Sequence, residues 1–574
     1  KTVLPTLKQL LLKPGDAQPP DLVDVQPPPA FSEDKFGVLR AALGNRQLLA
    51  VQGPPGTGKT TLITEIVRSY LKLNPSARIL VAAQTHIAID NIVVKLLEEP
   101  YFRERVVRIA RAGDGKVAER VRDVTLQRCV AGWCSTAASR ARQFTARRGR
   151  DFGLDSQDVE RAIRLESLLW AIRRSGELEY KKRISSEAIA DASKSASTTD
   201  SIQALETATA VAMTVVELEA EAKRVSEVAD RVRGELRSLG SDGEYLASAP
   251  ANELEESLKI LLGDGPIWAQ FRREMELQLT WLDLLGQLKQ FEEPVLRSAS
   301  VVAGTCVGLG SNDAFSSIAF DLCIIDEASK ATPTEALIPM VRSDRFIIVG
   351  DPRQLPPFDS GPLNLDDFSD TETKQTLLDH LLQGLPAACS FQLTHQHRMC
   401  QGIGDLISKA FYGGVLVNRR PDTDRPNWMQ KHFPKPVVWI DSGGTPQKRQ
   451  GHSFVNLGEQ SLVLQLLERL HRYASRAKAT ASISVIAAYA AQAYALEVLI
   501  QKSEFSSLSI EVATVDSFQG RETDVTIFTV TLSNDAGRMG FLRSANRLNV
   551  ALSRPRDLLA IVGDQQFCYQ LEGV

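Results

Sequence analysis

The stretch LLAVQGPPGTGKTTL, residues 48–62, is the part of the chain that decides its fold. Residues 48–51 form an apolar run typical of a buried strand, and Leu62, Ile66 and Tyr70 then recur at the spacing of a helix. The pattern GxxxxGK followed by Ser or Thr favours a tight turn whose backbone N–H groups surround phosphate oxygens. We therefore predict a strand, a nucleotide-binding loop and a helix, with the loop contacts made by Gly53, Pro54, Pro55, Gly56, Thr57, Gly58, Lys59, Thr60 and Thr61.

Two acidic residues follow another apolar run. Asp326 and Glu327 come directly after residues 323–325, at the predicted carboxyl end of a strand, where ligands bind in parallel sheets. We expect Lys59 to contact phosphate oxygens and Thr60 to offer a hydroxyl to Mg²⁺. Asp326 is the expected carboxylate ligand of Mg²⁺, and Glu327 the expected base that deprotonates the attacking water.

The composition is that of a globular protein of several domains. The chain has 574 residues, 43% of them hydrophobic, and a formal charge of -3, which excludes a uniformly basic protein but not local basic patches. Without an apolar stretch long enough for a bilayer, we expect no membrane association. Seven cysteines without CxxC pairs argue against a disulfide framework or a zinc module. We interpret the chain, which begins at Lys1, as a fragment of an intracellular protein from the cytoplasm, the nucleus or another reducing compartment.

Strand-like runs alternate with helical patterns in two parts of the chain, as expected for parallel sheets in an α/β fold. The first part is interrupted after about residue 112, and strand-like runs return near residue 300. We predict a proline-rich linker or N-terminal extension at 1–30, a split first domain at 31–112 and 296–362, a helical insertion at 113–295 and a second α/β domain at 363–574.

The predicted insertion carries a seven-residue apolar repeat. Its two interleaved sets are Val211, Leu218, Val225, Val232 and Leu239, and Val215, Ala222, Ala229 and Leu236. Such spacing is typical of a coiled coil and favours an antiparallel helical hairpin. A helical bundle is the equally weighted alternative.

Four further segments follow in a fixed order: GDPRQLPP (350–357), QHRM (396–399), VDSFQGRE (515–522) and RLNVALSR (547–554). With the phosphate loop they resemble the successive motifs of superfamily 1 helicases, most closely the branch typified by the nonsense-mediated-decay RNA helicase. The resemblance covers most of 31–112 and 296–574. It implies two RecA-like P-loop NTPase domains that use ATP and Mg²⁺ in the cleft between them.

The resemblance also implies roles for single residues. Gln354 would sense the γ-phosphate, and Arg398 and Arg554 would be two arginine fingers that stabilise the charge of the transferred phosphoryl group. Gly520 and Glu522 would contact the nucleotide from the second domain.

The chain departs from the family pattern at two base-contacting positions. His397 stands where the family has a tyrosine that stacks on adenine, so we expect weaker or pH-sensitive stacking. Lys35 stands where the family has a glutamine that reads adenine, which reduces the expected selectivity for that base. Pro555 also replaces the small residue that usually follows the arginine finger.

A nucleic-acid track is the other feature that the resemblance implies. Hydroxyl, amide and aromatic groups at strand ends suit binding that ignores base identity, although capping of a loop or helix is the alternative for the threonines. The residues at the matching positions are Thr85, His86, Asn91, Thr305, Val307, Tyr489, Gln492 and Thr514.

The beginning of the insertion is basic. Residues 111–150 hold ten Lys or Arg against three Asp or Glu, and Phe144 lies among five arginines of its last part. This segment extends the track for a single strand or is simply a solvated helical face; the sequence leaves both open.

Two functions are compatible with these observations. The first is a helicase or translocase that couples ATP hydrolysis to movement on single-stranded RNA or DNA, 5′ to 3′ by resemblance. The second is an ATPase switch that remodels protein partners through the helical insertion. Because a switch tolerates the loss of either arginine, an intact pair, Arg398 and Arg554, favours hydrolysis.

Overall fold

A computed structural model describes residues 3–29, 31–111, 115–195, 201–263, 265–357, 376–518, 521–538 and 540–570. In that part of the chain no helix combines the length and apolarity needed to cross a membrane. Two compact units are present: one comprises residues up to Cys129 together with those from Glu292 onward, and the other is Val130–Phe291.

Strands and helices alternate through most of the first unit. The strands are β1 (Leu48–Gln52), β2 (Ile79–Ala83), β3 (Val106–Ile109), β4 (Val301–Thr305), β5 (Leu322–Asp326), β6 (Phe346–Gly350), β7 (Ser390–Gln392), β8 (His395–Gln396), β9 (Val417–Asn418), β10 (Val437–Asp441), β11 (Lys448–Gln450), β12 (Ser453–Val455), β13 (Ala481–Ala487), β14 (Leu508–Thr514), β15 (Thr523–Thr529) and β16 (Pro555–Gly563). The helices of both units are α1 (Val3–Leu12), α2 (Glu33–Leu43), α3 (Lys59–Leu73), α4 (His86–Leu97), α5 (Leu126–Asp151), α6 (Ser156–Ser195), α7 (Ser201–Arg237), α8 (Ser241–Ser248), α9 (Ala251–Leu262), α10 (Pro266–Gly286), α11 (Glu292–Ser298), α12 (Cys306–Gly310), α13 (Pro333–Met340), α14 (Leu377–Gly384), α15 (Gln401–Phe411), α16 (Asn427–His432), α17 (Leu457–Arg476), α18 (Ala490–Gln501), α19 (Ala545–Leu552) and α20 (Gln565–Tyr569).

The first sheet is seven-stranded and parallel, in the order β3-β4-β2-β5-β6-β1-β7. Strands β2, β4, β5 and β6 are buried throughout, which explains their continuous apolar runs. The insertion leaves after β3 and returns at β4, its neighbour in the sheet. Strand β7 also joins this sheet, beside β1, although it follows the boundary expected at 362–363. Because β7 has only three residues and none is buried, it leaves no apolar run in the sequence.

A second parallel sheet has the order β10-β16-β15-β13-β14. Helix α15 packs on one of its faces, where Met399 and Ile403 share a buried cluster with Phe528 and Leu559. Helix α15 therefore packs with the second sheet, and the α/β class with parallel sheets is confirmed.

The N-terminal segment expected as a linker contains helix α1, whose Leu7 and Leu10 are buried. It packs near α14, since His380 Nε2 lies 2.9 Å from the carbonyl oxygen of Leu11. Of the two alternatives, a linker or an N-terminal extension, a helix with buried leucines favours the extension; apart from Pro5, the prolines of this segment lie after α1.

The unit Val130–Phe291 is helical. Helices α6 and α7 run antiparallel, joined by ion pairs of Arg164 with Glu235 and of Arg174 with Glu221. Their buried faces share one core with α8, α9 and α10, so an antiparallel pair and a bundle are both present. Of the heptad positions, Val225, Ala229, Val232 and Leu236 are buried, Leu218 and Ala222 are partly buried, Leu239 is exposed, and the side chains of Val211 and Val215 lie outside the described residues.

Candidate nucleotide site and nucleic-acid surface

The phosphate loop connects β1 to α3 at the carboxyl edge of the first sheet. Gly53 N donates a 2.8 Å hydrogen bond to Gly350 O at the end of β6, and Thr57 Oγ1 donates to Pro54 O at 2.8 Å. Gly56 and Gly58 adopt φ values of 74° and 80°, which favour glycine. The loop therefore ends at the amino terminus of α3, where N–H groups and the helix dipole favour an anion.

Lys59, the first residue of α3, lies over this loop. Its Nζ donates to Gly53 O at 2.9 Å and lies 3.7 Å from Glu327 Oε1. A Cβ added at Gly53 would approach Lys59 Cγ to 2.5 Å, so the glycine leaves room for the lysine. The ammonium group is thus held between the phosphate loop and the carboxylate expected to act as the base.

The two acids at the end of β5 have different environments. Asp326 is buried, and burial together with the charge of Glu327 raises its pKa to about 7, while Lys59 opposes the shift. Glu327 has a left-handed backbone with φ of 52°, unusual for a residue with a side chain. The chain therefore turns at Glu327, directly after β5 ends at the buried Asp326.

This donor set fits a magnesium ion. Among the described residues no group of three or more His, Cys, Asp or Glu is arranged to hold a metal by itself. Mg²⁺ in nucleotide sites uses one or two protein ligands together with phosphate oxygens and waters. Asp326, whose pKa is raised by burial and by Glu327, is a carboxylate that a cation would stabilise, and Thr60 lies in the first turn of α3.

The loop after β6 is connected to the second sheet through buried hydrogen bonds. Gln354 Nε2 donates to Asp351 Oδ2 at 2.8 Å, and the same oxygen accepts from Tyr412 OH at 2.6 Å. From α19, Asn549 Nδ2 lies 2.7 Å from both Tyr412 OH and Arg353 O, and a neighbouring asparagine, Asn546, donates to Gln354 O. Sequence reasoning assigned no role to Tyr412, which lies outside every motif, or to the asparagines, which lie in or beside the last one.

Arg398 reaches the phosphate loop from the second sheet. A Cβ added at Gly56 would approach Arg398 Cβ to 2.7 Å, and the neighbouring His397 N donates to Gly56 O at 2.9 Å. The guanidinium is engaged within the protein: Nε donates to Glu522 Oε2 at 2.7 Å, and Nη1 donates to Ser553 O at 3.3 Å. In this structure Glu522 therefore contacts an arginine finger candidate, and Gly520 lies outside the described residues.

Arg554 is buried at the end of α19. Its Nε donates to Val550 O at 2.7 Å and its Nη2 to Ser553 Oγ at 3.1 Å. Burial and the nearby charge of Arg398 lower its pKa to about 9, whereas Glu327 opposes the shift. Pro555 begins β16, a position in a strand that tolerates proline.

Lys35 lies beside the same loop. It is 4% exposed, and its Nζ is 3.1 Å from the position of a Cβ added at Gly58. Burial lowers the pKa of Lys35, an effect that Asp34 opposes. Burial and the charge of Lys35 also lower the pKa of His397. The two residues that depart from the family pattern are thus neighbours.

The track residues of the first sheet lie at one edge, since Ala83 pairs with both Thr305 and Asp326. Thr85 and Thr305 each cap a helix, accepting from Ala88 N at 3.3 Å and from Gly308 N at 3.2 Å. The capping alternative is therefore observed for both hydroxyl oxygens. Asn91 and Val307 are exposed, and His86 Nδ1 lies 3.3 Å from a buried arginine, Arg108.

In the second sheet, the register brings Ala487 opposite Thr514, so Tyr489 and Thr514 lie at one edge. Tyr489 packs edge to face on Phe454. Gln492 is different because it is fully buried and its amide is bonded to Asn456, Gln460 and Thr529. The structure therefore places Gln492 on the buried face of α18 and does not bring its side chain to the surface beside Tyr489 and Thr514.

The basic segment divides into paired and exposed groups. Arg148 donates to Glu274 and lies over the ring of Phe152, so it is occupied within the helical unit. Phe144 and the arginines Arg140, Arg142, Arg147 and Arg150 are exposed.

Comparison with known proteins agrees with this geometry. Two family models, each described as an AAA domain, match residues 31–359 and 373–566. The chain belongs to the AAA-domain family. Relatives include the regulator of nonsense transcripts 1 of Dictyostelium discoideum, 34% identical over 48% of this chain, and the ATP-dependent helicase NAM7 of Saccharomyces cerevisiae, 30% identical over 58%. The mouse 5'-3' DNA helicase ZGRF1 is 31% identical over 47%.

These relatives confirm the expected membership in superfamily 1, related to the nonsense-mediated-decay helicase branch. The chain spans 21%, 36% and 14%, respectively, of the lengths of these three proteins.

Proposed function

We propose that this chain is a nucleic-acid-stimulated ATPase whose two RecA-like domains, built on the two parallel sheets, close on ATP and move along a single strand. The supporting observation is that Arg398 and Arg554, on elements of the second sheet, approach the phosphate loop and Glu327 of the first. A nucleotide bound between these two sets of residues would contact both domains. Its hydrolysis would remove the contacts of the γ-phosphate and so let the domains separate.

Each residue then has a chemical task. Lys59 and the N–H groups of the loop hold the phosphates, while Glu327 takes the proton of the attacking water. Thr60 and Asp326 would hold Mg²⁺, which neutralises charge on the phosphate oxygens when bound. Arg398 and Arg554 stabilise the equatorial oxygens of the transferred group, each after leaving its present partner.

Gln354 links hydrolysis to movement. Its amide and the Asp351 carboxylate are bonded to each other and, through Tyr412 and Asn549, to α19. Because Arg554 follows directly after α19 and donates to Val550 O of that helix, a change at the γ-phosphate is passed through α19 to the finger.

The strand binds across the edges that carry Thr85, Thr305, Val307, Tyr489 and Thr514. We infer movement from 5′ to 3′, which is supported by the family resemblance and by a relative named for that direction. One relative is named for nonsense transcripts and another for DNA, which supports single-stranded RNA or DNA as the substrate. The seven free cysteines support a reducing intracellular compartment.

The alternative is a switch that remodels protein partners. It is favoured by the helical unit, whose antiparallel, coiled-coil-like pair α6–α7 offers exposed charged faces for a partner. A switch would hydrolyse ATP at a rate that single strands do not change.

The deciding experiment measures ATP turnover with and without single-stranded RNA and DNA of matched sequence, in the native chain and in Glu327→Gln. We expect stimulation of the native chain by at least one polymer. Glu327→Gln should retain ATP binding and lose about 10² to 10⁴-fold in turnover. Absence of stimulation by either polymer would contradict the motor.

A further inference from the structure

A buried lysine without an internal partner lies beside the phosphate loop. Lys35 is carried by the first turn of α2, and its Nζ lies 3.1 Å from the position of a Cβ added at Gly58. In the part of the chain that the structure describes, no group forms a hydrogen bond or an ion pair with this ammonium group. A buried charge of this kind is costly unless a ligand supplies the missing acceptor.

The nearest carboxylate is already occupied. Asp34 accepts hydrogen bonds from the backbone N–H groups of Thr394, at 2.6 Å, and of His395, at 3.2 Å, and its other oxygen lies 3.1 Å from His395 Nδ1. Burial would raise the pKa of Asp34, but the hydroxyl of Ser32 and the backbone N–H groups of Thr394, His395 and Lys35 hold it well below its usual range. Asp34 therefore fixes α2 to the segment that leads to His397. Its carboxylate does not pair with Lys35, so the ammonium group of Lys35 can bind a ligand.

The imidazole of His397 lies near enough to the ammonium group for the charge of Lys35 to lower its pKa. His397 N donates to Gly56 O, whereas Lys35 Nζ lies beside Gly58, two residues further along the same loop. A base stacked on the imidazole of His397 would present its edge close to Lys35.

An ammonium group and an amide read different base edges. An amide offers one acceptor and one donor, which match the N6 amino group and N7 of adenine. An ammonium group only donates, so it cannot accept from the amino group of adenine; it matches the O6 and N7 acceptors of guanine.

We propose that Lys35 donates to the acceptor edge of the purine base, so that this site takes GTP at least as well as ATP. The proposal rests on the proposed function, because it concerns the base of the nucleotide that the same site hydrolyses. Guanine supplies two acceptors to Lys35 and adenine supplies one, N7.

The test compares kcat/KM for GTP and for ATP in the native chain, Lys35→Gln and Lys95→Gln. Lys95 is the matched control, since it also carries a positive charge beside α3 but donates to Thr61 Oγ1 at 2.7 Å. We expect a GTP-to-ATP ratio of at least one in the native chain. Lys35→Gln should shift that ratio toward ATP by about 5- to 100-fold, whereas Lys95→Gln should leave it unchanged.

Other outcomes overturn the proposal. If Lys35 instead binds a phosphate, Lys35→Gln will weaken both nucleotides by the same factor and leave the ratio unchanged. If kcat/KM of the native chain is more than tenfold higher for ATP than for GTP, the proposal is excluded. This measurement needs no variant, so it decides the question even if Lys35→Gln does not fold. If neither nucleotide is hydrolysed, the proposed function fails, and the ratio of the two affinities, measured by calorimetry with non-hydrolysable analogues, still decides the role of Lys35.

Discussion

The two halves of the nucleotide site differ in how their charged groups are satisfied. In the first half, Lys59 lies on the loop, and burial and Glu327 raise the pKa of Asp326, so the groups are arranged for a ligand. In the second half, Arg398 is paired with Glu522, and Arg554 donates to the backbone oxygens of Val550 and Arg521 and to the hydroxyl oxygen of Ser553. The first half is preorganised, whereas the second must exchange internal partners for phosphate oxygens.

The largest effect should come from removing the buried finger. We expect Arg554→Ala to retain nucleotide binding and to lose about 10³ to 10⁵ in kcat, because the guanidinium acts on charge that develops in the transition state. Arg554→Lys keeps a charge without the planar fork and should recover only part of this loss. Steady-state turnover at saturating ATP checks both variants, and a kcat within tenfold of the native value for Arg554→Ala would exclude a finger at this position.

A second prediction concerns a buried acid outside the nucleotide site, on α17 beside the second sheet. Burial raises the pKa of Glu459 to about 7, although Thr529 and Thr531 donate to its carboxylate. Because this pKa lies above the unfolded value, the native chain loses stability as pH rises from about 4.5 to about 7, and the loss is complete above that range.

Glu459→Gln removes this titration. Its free energy of unfolding relative to the native chain should rise with pH over the same window, approaching about 1 kcal/mol per pH unit at its steepest, and should then level off. Urea unfolding at pH 5, 6, 7 and 8 measures the difference, in which other buried acids cancel. A difference that does not change with pH would show that Glu459 is ionised at an ordinary pKa.

Much of this fold follows from short sequence patterns. The exceptions are strands that lack a continuous apolar run. Buried strands such as β2 and β5 are continuous apolar runs. Strand β3 has a weaker pattern because Arg108 interrupts its apolar run, and this buried arginine is paired with Asp90 of α4. Strand β14, at the edge of the second sheet, has no buried residue and thus no apolar run.

In the nucleotide site, too, the sequence predicts the features that have a local signature and not the contacts made by tertiary packing. Motif spacing predicted that Lys59 and Glu327 lie together, since glycine loops and strand ends have local signatures, and the family resemblance added Arg398. It did not reveal that Arg398 is paired with Glu522 or that Tyr412 connects Asp351 to α19, because these contacts depend on tertiary packing.

The third prediction distinguishes the roles of Gln492 and Tyr489, which both lie at the start of α18. Gln492→Leu should cost about 1 to 3 kcal/mol of stability, since it leaves buried donors and acceptors unpaired, and it should not change affinity for a single strand. Tyr489→Ala should weaken strand binding by about 1 to 3 kcal/mol through loss of base stacking. Thermal unfolding and fluorescence anisotropy measure the two effects. Weaker binding in Gln492→Leu at a temperature where it is folded would support the assignment of this residue to the track.

The smallest effect tests the difference between the two halves most directly. Glu522 is about half exposed, and its pair with Arg398 is therefore worth at most about 1 kcal/mol. If that pair restrains Arg398 before nucleotide binds, Glu522→Gln should lower KM for ATP by about fivefold or less, and the change should shrink in high salt. If Glu522 contacts the nucleotide instead, as the resemblance implies, the same variant will raise KM. The sign of the change therefore distinguishes an internal restraint on the finger from a second-domain ligand.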